Sequence, residues 1–284
     1  MAPIKPVFLI IFILGLCVGS FLNVVICRLP KGERISGRSY CPHCKKVIAW
    51  YDLMPVFSFI LLQGKCRSCH QKISWQYPLV EIATGSLFLL IFNEFSILNS
   101  CPASNLFWCG VQNPFPICYF LLIACFLIII FVVDLKHYII PDRIIFPAII
   151  ITFFYQVFRI LNLEFVSDFG FRISDFKTLL NPFLSAILAS TFFLAIVLMS
   201  RERWMGWGDV KLAFLLGLIL GWPNILTALF FGFLLGGIMG MGLLAFGKKS
   251  LKSEVPFGPF LVAGTFVALF WGDLLINWYL GFLI

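Results

Sequence analysis

Polar residues are sparse along this chain and they arrive in blocks. Between the blocks run apolar stretches near 7–27, 78–94, 117–135, 139–161, 181–200, 209–222, 224–246 and 256–281. Several approach the roughly 20 residues that cross a bilayer core. The unbroken ones, such as Phe120 to Val133, lack the alternation of a barrel strand. Backbone groups in lipid must be satisfied within helices or closed barrels. The pattern therefore predicts an all-α polytopic membrane protein with about eight transmembrane helices. One sizeable polar segment, 28–77, falls between the first two helices and predicts a small cytoplasmic domain. The expected division is a first transmembrane helix at 1–27, that domain at 28–77, a second helix and outer loop at 78–116, and a membrane domain at 117–284.

Charge orients these elements. The basic flank of the first run follows it, and no small-residue cleavage site closes a short apolar core. This predicts a retained span with its N-terminus outside, not a signal peptide. The 28–77 segment carries nine basic residues, which places it in the cytoplasm. With eight spans, 17 of the 21 basic residues fall on the inner side and 4 on the outer. The run at 209–222 is short and glycine-rich, and a re-entrant segment there would change the split to 14 against 7. The full span fits the charge rule better. At 61% hydrophobic and 12% charged, the chain has about half the charge of a soluble domain. Its net charge of +8 sits in loops and not on a basic, aromatic-interleaved domain, so nucleic acid is not an expected partner. Membrane lipid is one, and the basic loop suits anionic headgroups.

Two acidic stretches interrupt the apolar pattern. One is Gly206-Trp207-Gly208-Asp209-Val210-Lys211, and the other runs from Asp134 to Pro141-Asp142. An ionisable residue at the edge of a span is costly and is a functional candidate. Asp134 ends an outside-to-inside span and Asp209 begins an inside-to-outside one. Both carboxylates are thus expected at the cytoplasmic edge, although 75 residues separate them. Gly206 and Gly208 remove side-chain bulk and would let a substrate backbone or a neighbouring helix approach. Two nearby carboxylates can share a proton and divide the acid and base roles of peptide hydrolysis. A blander reading stands beside this one: each aspartate caps a helix or pairs with Lys136 or Lys211. Asp142, after Pro141, suits a helix N-terminus and a supporting role. Asp273 falls toward the outer side, away from the pair.

Cysteines add a second chemistry. Cys41-Pro-His-Cys44 and Cys66-Arg-Ser-Cys69 form two C-x-x-C pairs, which together complete a tetrahedral thiolate site for a structural zinc ion. A reducing cytosol keeps such thiols free for metal. Unliganded thiols or redox pairs are the other possibility, and His43 and His70 stand beside the ligands. Cys101 and Cys109 fall in the outer loop, where a disulfide is permitted, with Cys118 as a competing partner. No internal repeat is evident.

These motifs in order resemble the type IV prepilin peptidases, a family of GxGD membrane aspartyl proteases. Gly206-Trp-Gly208-Asp209 matches the GxGD signature, and Asp134 with Ile140-Pro141-Asp142 matches the family's other aspartate motif. Gly19-Ser-Phe-Leu-Asn, Tyr77-Pro-Leu-Val-Glu81 and Pro256-Phe-Gly-Pro-Phe-Leu261 extend the resemblance over nearly the whole chain. It implies a multi-pass enzyme of the bacterial inner membrane, acting at the cytoplasmic face. Such an enzyme removes the leader from type IV prepilins or type II secretion pseudopilins, with Asp134 and Asp209 as the catalytic pair and Gly206, Gly208, Lys211 and Asp142 in support. Bifunctional members then methylate the new N-terminus with S-adenosylmethionine, and the four cysteines belong to the domain associated with that step. The sequence holds no glycine-rich cofactor fingerprint of the soluble kind, so the methyl donor rests on resemblance alone. Trp207 occupies a place where a smaller residue is familiar, which would narrow the substrate groove. Two other classes remain from the residues by themselves: an ion-coupled transporter with a structural zinc module, and a non-enzymatic assembly subunit.

Overall fold

The computed structural model describes residues 4–98, 115–166, 173–202, 205–245 and 256–283. Cys101 and Cys109, and the basic residues at 172, 203, 248, 249 and 252, lie outside the described residues. Helices cover every predicted run: α1 (Ile4–Arg28), α3 (Gln76–Leu98), α4 (Phe115–His137), α5 (Asp142–Val166), α6 (Ile173–Ser200), α7 (Trp207–Leu220), α8 (Asn224–Ala245) and α9 (Gly258–Leu283). A one-turn helix, α2 (Phe57–Leu61), lies in the polar segment. Among the described residues, five helices are long and apolar enough to cross a membrane, namely α1, α4, α6, α8 and α9. Glu81 and Glu94 lie within α3, and Asp142, Arg143 and Arg159 within α5. With 14 residues, α7 rises only about 21 Å.

The chain forms two compact units, Met1–Ile129 and Ile130–Ile284. In the first, α1 packs along α3. They approach closely at Gly15 and Gly19, where a Cβ would stand 2.7 Å from the Cα of Gly85 and of Glu81 respectively. Polar bonds fix the ends of the pair. Asn23 donates to the carbonyl of Tyr77 at 3.0 Å and accepts from Gln76 at 3.3 Å. Buried Arg28 turns its guanidinium on the chain that leaves α1, donating to the carbonyls of Arg34, Ile35, Ser36 and Arg38 at 2.9–3.3 Å. The apolar stretch at 53–62 closes only a little core of its own. Phe59 meets the Trp75 ring at 5.0 Å, but Phe57, Ile60 and Leu61 stay exposed.

In the second unit, α8 packs on α9 and α6 on α7, while α5 and α9 also flank α7. Leu212, Leu215, Leu216 and Leu218 are fully buried, so α7 is the central helix of this unit. Gln156 of α5 donates to the Leu218 carbonyl at 2.7 Å, a buried bond that fixes the depth of α7 against α5. At the far end of α7, Asn181 accepts from the Trp222 N–H at 2.7 Å and donates to its carbonyl at 2.8 Å.

Because nothing but hydrogen fits at Gly19, Gly19→Val should force α1 from α3. The expected loss is about 1–3 kcal/mol, read as a lower unfolding midpoint of the purified protein in detergent.

Candidate active site and metal centre

Asp209 stands at the third position of α7, and Gly206 is the N-cap in extended backbone. The Asp209 N–H donates to the Gly206 carbonyl at 3.1 Å, and the Asp209 carboxylate takes a hydrogen bond from the Gly206 backbone. This is the reach-back half of a capping box, which explains the three-residue spacing of the motif. Asp134 lies in the last turn of α4. Its carboxylate takes a backbone hydrogen bond from Gly258, the first residue of α9. Both carboxylates are thus held at helix N-termini, where unsatisfied N–H groups and the helix dipole favour negative charge. They are 5% and 9% exposed, and Asp209 feels the charge of Asp134 directly. The capping role expected of a merely structural aspartate is real here.

The glycines behave as close-approach positions. A Cβ on Gly208 would stand 3.1 Å from the Cβ of Ile140, in the loop after α4. A Cβ on Gly258 would stand 2.5 Å from Oδ2 of Asp134 and 3.4 Å from Ile140 Cδ1. Ile140 is therefore packed between the starts of α7 and α9. Gly206 meets no side chain from elsewhere, so its role is that of the cap. Lys211 does not pair with Asp209. It binds Asp142 at 2.6 Å and sits 5.2 Å from the Phe146 ring centre, tying α7 to the first turn of α5. Asp273 accepts from Asn224 at 3.0 Å, about four turns along α9 from Gly258. Sequence reasoning missed the roles of Gly258 and Ile140. It also missed Glu202, which accepts from the Trp207 indole N–H at 2.6 Å. Arg201 and Glu202 both take left-handed backbone just before the motif. No periodicity marks such a turn.

The four cysteines do come together. Their Sγ atoms all lie within 4.8 Å of one another, and Cys41 and Cys69 are 3.8 Å apart. Four thiolates around tetrahedral zinc would be about 3.8 Å apart. Two matching turns build the site, offset by 25 residues. Tyr40 bridges Val47 as Lys65 bridges Lys72, and Cys41 N–H meets the Lys46 carbonyl as Cys66 N–H meets that of Gln71. Lys45 and His70 take left-handed backbone at equivalent places. This local repeat was invisible in the residues beyond the C-x-x-C spacing. Backbone hydrogen bonds from Cys69 and Ser68 lower the Cys66 thiol to about 6. Cys69, bonded by Gln71 yet desolvated by burial and by its bonds to the other three sulphurs, is pushed up to about 11. The four donors suit a structural metal ion with no open position. His43 and His70 are exposed and outside the cluster.

Comparison with known proteins bears on both sites. Residues 13–95 match the model of the bacterial peptidase A24 N-terminal domain, and residues 121–241 match that of the type IV leader peptidase family. A prepilin leader peptidase/N-methyltransferase of Bacillus subtilis (strain 168) is 31% identical over 272 residues, covering 95% of this chain and 97% of the relative. The chain belongs to the type IV leader peptidase family. Like-named proteins of Legionella pneumophila (31% identity; 97% of this chain, 95% of the relative) and Aeromonas hydrophila (29%; 96% and 93%) agree. No solved structure matches. Within this leader-peptidase chain, the first matched region contains the cysteine quartet and the second contains both aspartates. Nothing among these relatives supports a transporter.

A donor set with no spare ligand predicts a steep dependence on each thiol. Cys66→Ser should lower bound zinc, measured by plasma mass spectrometry, from about one per chain to below about a fifth of that.

Proposed function

We propose that this chain is a membrane aspartyl endopeptidase that cleaves the leaders of type IV prepilins or type II secretion pseudopilins, with Asp134 and Asp209 as the catalytic pair. The observation that carries the reading is the pair of buried carboxylates, each bonded by the start of a different helix, in a chain of this family. In this mechanism the ionised carboxylate takes a proton from water, and the water oxygen attacks the scissile carbonyl. The protonated carboxylate gives its proton to the carbonyl oxygen. Collapse of the tetrahedral intermediate then breaks the C–N bond, and the departing amine takes up a proton. Lys211 and Asp142 brace α7 against α5, and Gly208 and Gly258 keep bulk away from the pair.

The proposed setting is the bacterial inner membrane, with eight spans, both termini outside and the carboxylates at the cytoplasmic edge. The charge distribution along the sequence supports it. A basic substrate leader would remain in the cytoplasm while its apolar helix enters from the bilayer.

The relatives' shared name carries a second activity, and the catalytic pair lies in the second matched region. We therefore assign N-methylation of the new N-terminus to the region at 13–95, with zinc on Cys41, Cys44, Cys66 and Cys69 holding its fold. S-adenosylmethionine is the donor implied by that name. The apolar concavity along α1, lined by Ile10, Ile13, Leu14, Cys17, Val18 and Phe21, offers a nucleoside no polar recognition, so no residue is assigned to the donor.

Mass spectrometry of a co-expressed prepilin tests both activities. Wild type should remove the leader and add about 14 Da to the mature N-terminus, while Asp134→Asn or Asp209→Asn should slow cleavage by roughly 10²–10⁴-fold. Leader loss at the wild-type rate in either folded variant would overturn the catalytic assignment. Gly258→Ala makes a separate demand: its methyl group displaces the Asp134 carboxylate, and cleavage should fall at least about tenfold, since misplacement by about 1 Å costs up to 10²-fold.

A further inference from the structure

Glu81 is a buried carboxylate that neither proposed reaction uses. It lies in the second turn of α3, 6% exposed. Its Oε2 accepts the backbone N–H of Val56 at 2.8 Å, and the Ser20 hydroxyl of α1 also bonds it. Val56 is an unusual partner. It is β-branched, yet its backbone sits at φ 61°, ψ −50°, outside the conformations such residues favour. Strain of this kind persists only where surroundings impose it, and it collects at functional elements. Val56 is the N-cap of α2, and α2 lies within the 45–65 connection between the two cysteine turns. Gly19 matters to the same point, because only a glycine there lets α1 reach the backbone of Glu81.

The polar segment is thus fastened at three places. Arg28 clasps its entry, Asn23 and Gln76 its exit, and Glu81 its middle. Glu81 is the fastening that joins the connection between the two cysteine turns to both helices of the pair. We propose that Glu81 is the positioning residue that seats the four-cysteine module on α1 and α3, and that methyl transfer, but not cleavage, depends on that seat. The second half rests on the methyltransferase reading above. The first half stands on the Val56 bond and its strained backbone.

The test uses the full-length protein in detergent, with Glu81→Ala, Glu81→Gln and Glu81→Asp. Losing the acceptor of a buried N–H should speed amide exchange across 54–61 by roughly tenfold or more in Glu81→Ala. Bound zinc should stay at the wild-type level. Prepilin cleavage should stay within about twofold, while the methylated fraction falls about tenfold, the ratio that a bond of this size sets. Glu81→Gln keeps an oxygen that accepts from Val56 and should restore slow exchange and methylation. Should Glu81→Ala fail to fold, Glu81→Asp provides the same contrast, because its shorter side chain withdraws the carboxylate from Val56. Unchanged exchange in the alanine or aspartate variant would overturn the proposal. Loss of methylation in Glu81→Gln with slow exchange intact would also overturn it, pointing to the charge instead of the seat. If the wild type cleaves without methylating, the methyltransferase reading fails, and the exchange comparison alone decides whether Glu81 seats the module.

Discussion

A carboxylate removed from water must be given hydrogen bonds or it destabilises the fold. In the second unit this constraint is met twice by the same device, a helix start aimed at an aspartate. The start of α7 bonds its own Asp209, and the start of α9 bonds Asp134 of α4. The surrounding packing follows from this. Gly258 lacks a side chain because the Asp134 carboxylate occupies its space, and Gly208 because Ile140 occupies its own. Lys211 turns away to Asp142, so no cation neutralises the pair from α7. Each carboxylate is bonded by the start of a helix, and the charge of Asp134 acts on Asp209.

The first unit solves a different problem with similar means. Residues 28–77 contain few elements of regular structure, and their apolar side chains are largely exposed. A module of this size cannot build a sufficient core of its own. Its order comes from four thiols drawn together and from polar fastenings to α1 and α3. Arg28 alone satisfies four backbone carbonyls that no ladder would otherwise pair.

Much of this was legible in the residues. Apolar runs marked the helices because hydrocarbon tolerates little else. The two acidic motifs stood out because charge is rare beside such runs, and the expected topology put Asp134 and Asp209 at one level. The C-x-x-C pairs declared their geometry through spacing. Other features left no one-dimensional trace. Gly258 stood within the Pro256–Leu261 motif, but its role shows only where the start of α9 meets Asp134 of α4. The Glu202–Trp207 bond depends on two residues in left-handed backbone, and neither is glycine. Glu81 stood only as the end of the Tyr77–Glu81 motif, and only the fold gives it the N–H of Val56. The span count was the weakest inference, since hydropathy does not separate a helix that crosses lipid from one wrapped by other helices.

That last distinction has a consequence for α7. Its 14 residues rise about 21 Å, against about 30 Å for the hydrocarbon of a bilayer. Its neighbours α6 and α9 have 28 and 26 residues. A central helix about half as long as those beside it ends roughly 9 Å short of that thickness, and the longer helices packed on it separate it from lipid. In the proposed hydrolysis a water molecule must reach the scissile bond, and depth bordered by protein, not hydrocarbon, is where water and polar backbone are tolerated. On that reading the short length of α7 bears on solvent supply as well as on packing.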